Sequence, residues 1–144
     1  MTSPDNAILV LVDLDPAGDP ASSTAALIGA ASTVGTPVAL VVGGSADAAQ
    51  KVAAAGAAVV LTAEGDAATL TVPIVDALQA AFAQVRPDAV LISNSISGRD
   101  VAGRFAVRAT LALSVDAVGV SRDDEGVIAH HSVYGGAYLV DSAP

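Results

Sequence analysis

The chain contains no cysteine and no tryptophan, only two tyrosines and two phenylalanines, and just six Lys or Arg against fifteen Asp or Glu. Without cysteine there can be no disulfide, thiolate metal site, iron-sulfur cluster or cysteine nucleophile. With so few cations and a formal net charge of -9, the chain lacks the clustered Lys and Arg that release counterions from a phosphate backbone, which excludes nucleic acid as a partner class. No apolar run approaches the roughly 20 residues that a bilayer-spanning helix needs, and no basic stretch precedes the run at 8–12. These absences predict an untargeted, soluble, cytoplasmic protein. Aromatics make up 3% while apolar residues reach 53%, so the core must be built from Ala, Val, Leu and Ile, whose small volumes let helices lie close to a sheet. A chain of 144 residues buries roughly two thirds of its unfolded surface around a single core, which predicts one domain over 1–144.

The apolar residues fall into a repeating order. Residues 8–12 form a continuous apolar run, the pattern of a parallel strand covered on both faces. Ser22, Ser23 or Thr24 can then cap a helix carrying Leu27, Ala31 and Val34, which Gly35 ends. The rhythm repeats as a strand at 38–42, a helix capped by Ser45 that carries Val52 and ends at Gly56, and a strand at 59–61. A third helix opens with Pro73 in its first turn and presents Ile74, Leu78 and Phe82. A strand at 89–92 follows, then a helix opened by Ser97 with Asp100 and carrying Val101, Phe105 and Ala109. Beyond Leu113 the pattern becomes β-prone at 115–120, 127–133 and 138–140, with turns at Asp123–Gly126 and at Tyr134, Gly135 and Gly136. The expected fold is a three-layer, doubly wound, mostly parallel α/β sheet of Rossmann-like type, close to the adenine nucleotide alpha hydrolase arrangement, with an antiparallel carboxyl-terminal extension.

In open α/β sheets ligands bind beyond the carboxyl ends of the strands. The loop after the first strand holds Asp13, Asp15 and Asp19 and has no G-x-G-x-x-G cradle, so an incoming phosphate meets repulsion there. The loop after the fourth strand reads Ser93, Asn94, Ser95, Ile96, Ser97, Gly98, Arg99, Asp100, running into a helix whose first amides point outward. Ser93, Asn94, Ser95, Gly98, Arg99, Asp100 and Arg104 are therefore the candidate anion-facing or partner-contact residues. Asp100, Arg104 and Arg108 also share four-residue spacing and one helical face, which is equally the signature of an ordinary surface ion pair. His130 and His131 are neighbours on a β-prone run, so their side chains point to opposite faces and cannot chelate one metal. No metal site is expected. No Ser, His and Asp set can be assigned from spacing, which leaves hydrolase chemistry with little support.

Three features in a fixed order carry a family resemblance: the apolar opening strand, Gly-Arg-Asp-Val-Ala-Gly-Arg-Phe-Ala at 98–106, and His-Ser-Val-Tyr-Gly-Gly-Ala at 131–137. Together they resemble the amino-terminal domain of the electron transfer flavoprotein alpha subunit, with Gly98, Arg99, Asp100 and Arg104 in the positions of the family's Gly, Arg or Lys, Asp, and helical Arg. The chain departs from the family's usual Pro at Gly103, Asn at Ala137, and Glu and His at Asp13 and Leu14. The resemblance implies an electron carrier, not an enzyme with its own catalytic site. In that family an alpha and beta heterodimer takes electrons from acyl-coenzyme A and other dehydrogenases, as in fatty acid β-oxidation, and delivers them to a quinone oxidoreductase. It also implies that FAD is held by a carboxyl-terminal domain absent from this chain, so that no cofactor is expected in the fragment itself. The principal alternative is an adenine nucleotide-binding module like the universal stress proteins, whose glycine-rich phosphate loop this chain lacks. A small free-standing enzyme around Ser93, Asn94, Ser95 and Arg99 would need a titratable base that the neighbouring sequence does not supply.

Overall fold

The structure, a computed structural model, describes residues 2–66 and 69–143. Its centre is the apolar run near the amino terminus, which forms β1 (Ala7–Val12) with all six residues buried. β1 pairs in parallel with β2 (Thr36–Val42) on one side and with β4 (Ala89–Leu91) on the other, so that Leu9 lies between Val38 and Val90. β3 (Val59–Ala63) pairs beyond β2, giving the order β3-β2-β1-β4.

Four helices alternate with these strands: α1 (Thr24–Val34), α2 (Ala46–Ala54), α3 (Val72–Val85) and α4 (Ile96–Ala109). Successive side chains on β1 point to opposite faces and feed two cores. Ile8, Val10 and Val12 pack with Ile28, Ala31 and Val34 of α1 and Val52 of α2. Leu9 and Leu11 pack with Val75 and Leu78 of α3 and Val101 and Phe105 of α4. The three expected layers are present, and the sheet is doubly wound, with one helix pair on each face. Phe82 meets Phe105 edge to face at 5.5 Å between ring centres and ties α3 to α4.

The helix starts follow local chemistry, with two corrections. Ser45 caps α2, its Oγ accepting from the Ala48 N–H at 3.2 Å, and Pro73 sits in the first turn of α3 as expected. At α1 the expected side-chain cap is not made: Ser23 stands at the cap position with helical backbone angles and forms no cap hydrogen bond. α4 is capped by Ser95 rather than opened by Ser97 and Asp100, because Ser95 alone has the extended backbone that lets its hydroxyl reach back to the Gly98 N–H.

The carboxyl-terminal strands β5 (Gly119–Arg122), β6 (Val127–Val133) and β7 (Tyr138–Ser142) form their own antiparallel sheet, in the order β5-β6-β7, beside the parallel one. The strand expected over 115–120 begins only at Gly119, since Asp116 takes a left-handed φ of 56° and interrupts extended backbone. A 3-10 turn at Tyr134–Gly136 joins β6 to β7, with Gly135 and Gly136 both at positive φ, as the paired glycines predict. Val120 and Val127 pack against the α1 face. Arg122 fastens this sheet to the parallel layer: its Nε donates to the Val34 carbonyl at 2.6 Å and its Nη2 pairs with Asp88 at 2.7 Å.

Candidate functional site

The winding direction reverses between β1 and β4, so the crevice at their carboxyl ends is where an open α/β sheet places a ligand. There the chain binds itself. Ser95 Oγ donates to Asp13 Oδ2 at 2.6 Å and accepts from the Gly98 N–H at 3.0 Å. One hydroxyl thereby satisfies an otherwise unpaired helix donor and holds a carboxylate at the α4 amino terminus, the end whose dipole favours negative charge. The loop after β1 is organised in the same economical way, with Asp15 Oδ1 accepting from the Ala17 and Asp19 amides at 2.9 and 3.0 Å. Asp19 and Asp47 both pair with Lys51, at 2.5 and 3.0 Å, and hold its ammonium well above the ordinary lysine range.

A cavity of about 360 Å³ opens over this edge, and its charged lining is Asp13, Asp15 and Asp66, with no Lys or Arg among the described residues that line it. A dinucleotide needs amide or cationic donors for its pyrophosphate. Here the α4 amino terminus already faces Asp13, and the remaining charge repels phosphate. The residues present do not fit FAD or an adenine nucleotide.

The seven candidate residues separate into an inner and an outer group. Gly98 is buried, and Ser93 and Ser95 are half-buried, whereas Asn94, Arg99, Asp100 and Arg104 are exposed. Asn94 Nδ2 donates to Asp116 Oδ1 at 3.2 Å, tying the β4 loop to the segment before β5. Arg99 makes no ion pair among the described residues. Asp100 pairs with Arg104 at 3.0 Å as its spacing predicts, but it also accepts from the Thr71 hydroxyl at 2.5 Å. Arg108, one turn further along α4, pairs with Asp76 on α3. Thr71 and Asp76 escaped sequence reading because helical spacing reports neighbours on one helix, whereas both lie on or beside α3.

The Thr71 hydroxyl, and after it the Arg104 guanidinium, holds the Asp100 carboxyl below the usual aspartate range. A carboxyl with a depressed folded-state pKa stabilises the fold above its unfolded pKa, and that contribution fades as pH falls through the folded value. Replacing Thr71 by Val should move the Asp100 titration midpoint, followed by carboxyl NMR shifts, upward toward the ordinary value. An unmoved midpoint would contradict the assignment.

The three strands of the small sheet assemble a hydrogen-bonded series that spacing did not reveal. His130 Nδ1 lies 2.6 Å from Asp141 Oδ1, and its Nε2 lies 2.8 Å from Ser121 Oγ. His131 reaches Ser142 at 2.8 Å, so the two histidines engage different partners, as their alternation predicts. The Ser121, His130, Asp141 order matches an acyl-transfer triad, but that chemistry also needs oxyanion donors and a substrate groove. The cavity beside this sheet is lined by Val120, Ile128 and Ala129 but not by Ser121, His130 or Asp141. The series accordingly reads as a pin across β5, β6 and β7. No cluster able to hold a metal occurs among the described residues, and none of their helices is long and apolar enough to cross a membrane.

A family model for the electron transfer flavoprotein domain matches residues 8–143, which includes both sheets. The chain belongs to the electron transfer flavoprotein domain family. The electron transfer flavoprotein subunit alpha of Mycobacterium leprae (strain TN) is 40% identical over 124 residues, covering 83% of this chain and 38% of the relative. The same subunit of Mycobacterium tuberculosis (strain ATCC 25618 / H37Rv) is 40% identical over 124 residues with the same coverage. The chain therefore spans about two fifths of the length of these curated relatives. Membership bears out the resemblance carried by the stretches at 98–106 and 131–137. Within this electron transfer flavoprotein domain, Gly98, Asp100 and Arg104 build the start of α4 and its junction with the β1 loop and α3.

Proposed function

We propose that this chain is the amino-terminal domain of an electron transfer flavoprotein alpha subunit and serves as the scaffold of an alpha and beta heterodimer, without a catalytic site of its own. The reading rests above all on the family match over 8–143, joined to a switch-point crevice occupied by the chain's own Ser95 and Asp13. In this reading FAD is held by a carboxyl-terminal domain beyond this chain. The assembled cytoplasmic protein carries electrons from acyl-coenzyme A and other dehydrogenases toward a quinone oxidoreductase, and this domain contributes rigidity and contact surface.

The outer edge of the β4 loop is the proposed partner contact. Ile96 is 82% exposed at the first turn of α4, beside the exposed Asn94 and Arg99. An apolar side chain flanked by a hydrogen-bonding amide and a guanidinium that makes no ion pair among the described residues is a combination suited to a protein interface. Titrating FAD into the chain while following flavin fluorescence and visible absorbance tests the division of labour. We expect no saturable binding. Stoichiometric uptake with a structured flavin spectrum would contradict the scaffold reading.

A further inference from the structure

We infer that Ser121 is a covalent acceptor site: a hydroxyl that His130 and Asp141 activate toward small activated acyl esters, taking one acyl group per chain without turnover. The inference stands apart from the scaffold reading and needs neither flavin nor a partner.

The direction of each hydrogen bond in the series follows from what its members can donate. A carboxylate only accepts, so the 2.6 Å contact between Asp141 Oδ1 and His130 Nδ1 assigns the ring proton to Nδ1. The neutral ring then offers a lone pair at Nε2, and in the 2.8 Å contact with Ser121 it is the hydroxyl that donates. In that arrangement a histidine can take the serine proton as the oxygen attacks. Strand pairing sets it up. Asp141 on β7 lies directly opposite His130, while on β5 Gly119 is opposite His130 and Ser121 stands two residues further along. The three side chains therefore share one face of the small sheet. The His130 side chain is 35% exposed and that of Asp141 64% exposed, so a reagent reaches them from solvent.

A second pair on the same strands provides an internal contrast. His131 Nε2 lies 2.8 Å from Ser142 Oγ, but Ser142 also meets Ser114 Oγ at 2.9 Å, and the aspartate partner belongs to His130 alone among the described histidines. No carboxylate fixes the His131 tautomer, and its serine is shared with a second hydroxyl. Competing nucleophiles of other kinds are few. The chain has no cysteine, and its only lysine, Lys51, is held between Asp19 and Asp47.

In the step itself the Ser121 oxygen attacks the acyl carbonyl carbon of the ester while its proton passes to His130 Nε2. The bond from that carbon to the leaving oxygen breaks, and the leaving alkoxide or phenoxide departs with the proton that His130 returns. An acyl ester of Ser121 remains. Hydrolysis of this less activated ester is the step that oxyanion donors in a closed site accelerate, and neither Ser121 nor His130 lines the cavity beside the sheet. The acyl group therefore stays on Ser121.

The test exposes the chain to p-nitrophenyl acetate, follows release of p-nitrophenol, and locates the acetyl group by peptide mass spectrometry. The inference predicts a single equivalent of release, with Ser121 acetylated about tenfold or more faster than Ser142. His130→Ala should slow acetylation of Ser121 by about tenfold or more, and free imidazole should restore part of the rate. Asp141 is a positioning residue, so Asp141→Asn should slow the reaction while Asp141→Glu, which keeps a carboxylate acceptor, recovers it. Equal rates at Ser121 and Ser142 in the unaltered chain, a comparison that requires no variant to fold, would overturn the inference. An undiminished rate at Ser121 in His130→Ala would do the same. Release that continues well beyond one equivalent and is abolished by Ser121→Ala would reveal a hydrolase and likewise overturn the acceptor role.

Discussion

Alanine at Gly98 should destabilise the protein by about 1–3 kcal/mol, or more if the loop before it cannot yield, while the same substitution five residues later should stabilise it. A Cβ at Gly98 would stand 2.0 Å from the Ser93 carbonyl oxygen and 2.9 Å from Ser95 Oγ. The obstacle is backbone, and relieving it moves the loop that holds Ser95 against Asp13. At Gly103, also within α4, a Cβ would meet nothing within 4 Å. There Ala gains the usual helix advantage over Gly of roughly 0.5–1 kcal/mol. Urea denaturation of both variants reads the two signs directly. Equal effects at both positions would mean that Gly98 is present for helix propensity alone, not for the close approach of the β4 loop.

Leu9→Ala should be among the damaging core truncations, costing about 2–5 kcal/mol. Leu9 is fully buried in β1, belongs to the core shared with α3 and α4, and lies between β2 and β4. Its sheet neighbours Val38 and Val90 are fixed by strand pairing, and α3 and α4 cover its core, so the site collapses only partly and the cavity contribution adds to the lost transfer energy. Leu139→Ala provides the contrast. Leu139 on β7 is 82% exposed, and its truncation should shift stability by less than about 0.5 kcal/mol. A loss at Leu139 comparable to that at Leu9 would show that β7 is covered in solution.

The contrast between these two leucines marks what the sequence discloses and what it hides. β1, β2 and the helices on their faces were legible because burial on both sides of a strand leaves a continuous run at 8–12, and burial of one helix side leaves Ala31 and Val34 at helical spacing. Pro73 and Ser45 were legible because their effects reach no further than one turn. The junction at Ser95 was not. Its hydroxyl serves Gly98, three residues on, but also Asp13, 82 residues back, and that second link exists only once β4 has been laid beside β1. Asp76 and Thr71 were missed for the same reason: they meet α4 through packing of α3 on α4, not through spacing on one helix. The β-prone runs of the small sheet were legible, but the late start of β5 at Gly119 was not, because the left-handed backbone at Asp116 belongs to a residue type that permits that conformation without announcing it.

Association with a beta subunit tests the scaffold role most directly. Sedimentation of this chain mixed with an electron transfer flavoprotein beta subunit should show a 1:1 complex, weakened when Arg99 and Ile96 are both replaced by Asp, with the circular dichroism of the variant unchanged. Independent sedimentation of the two chains at every ratio would contradict the account.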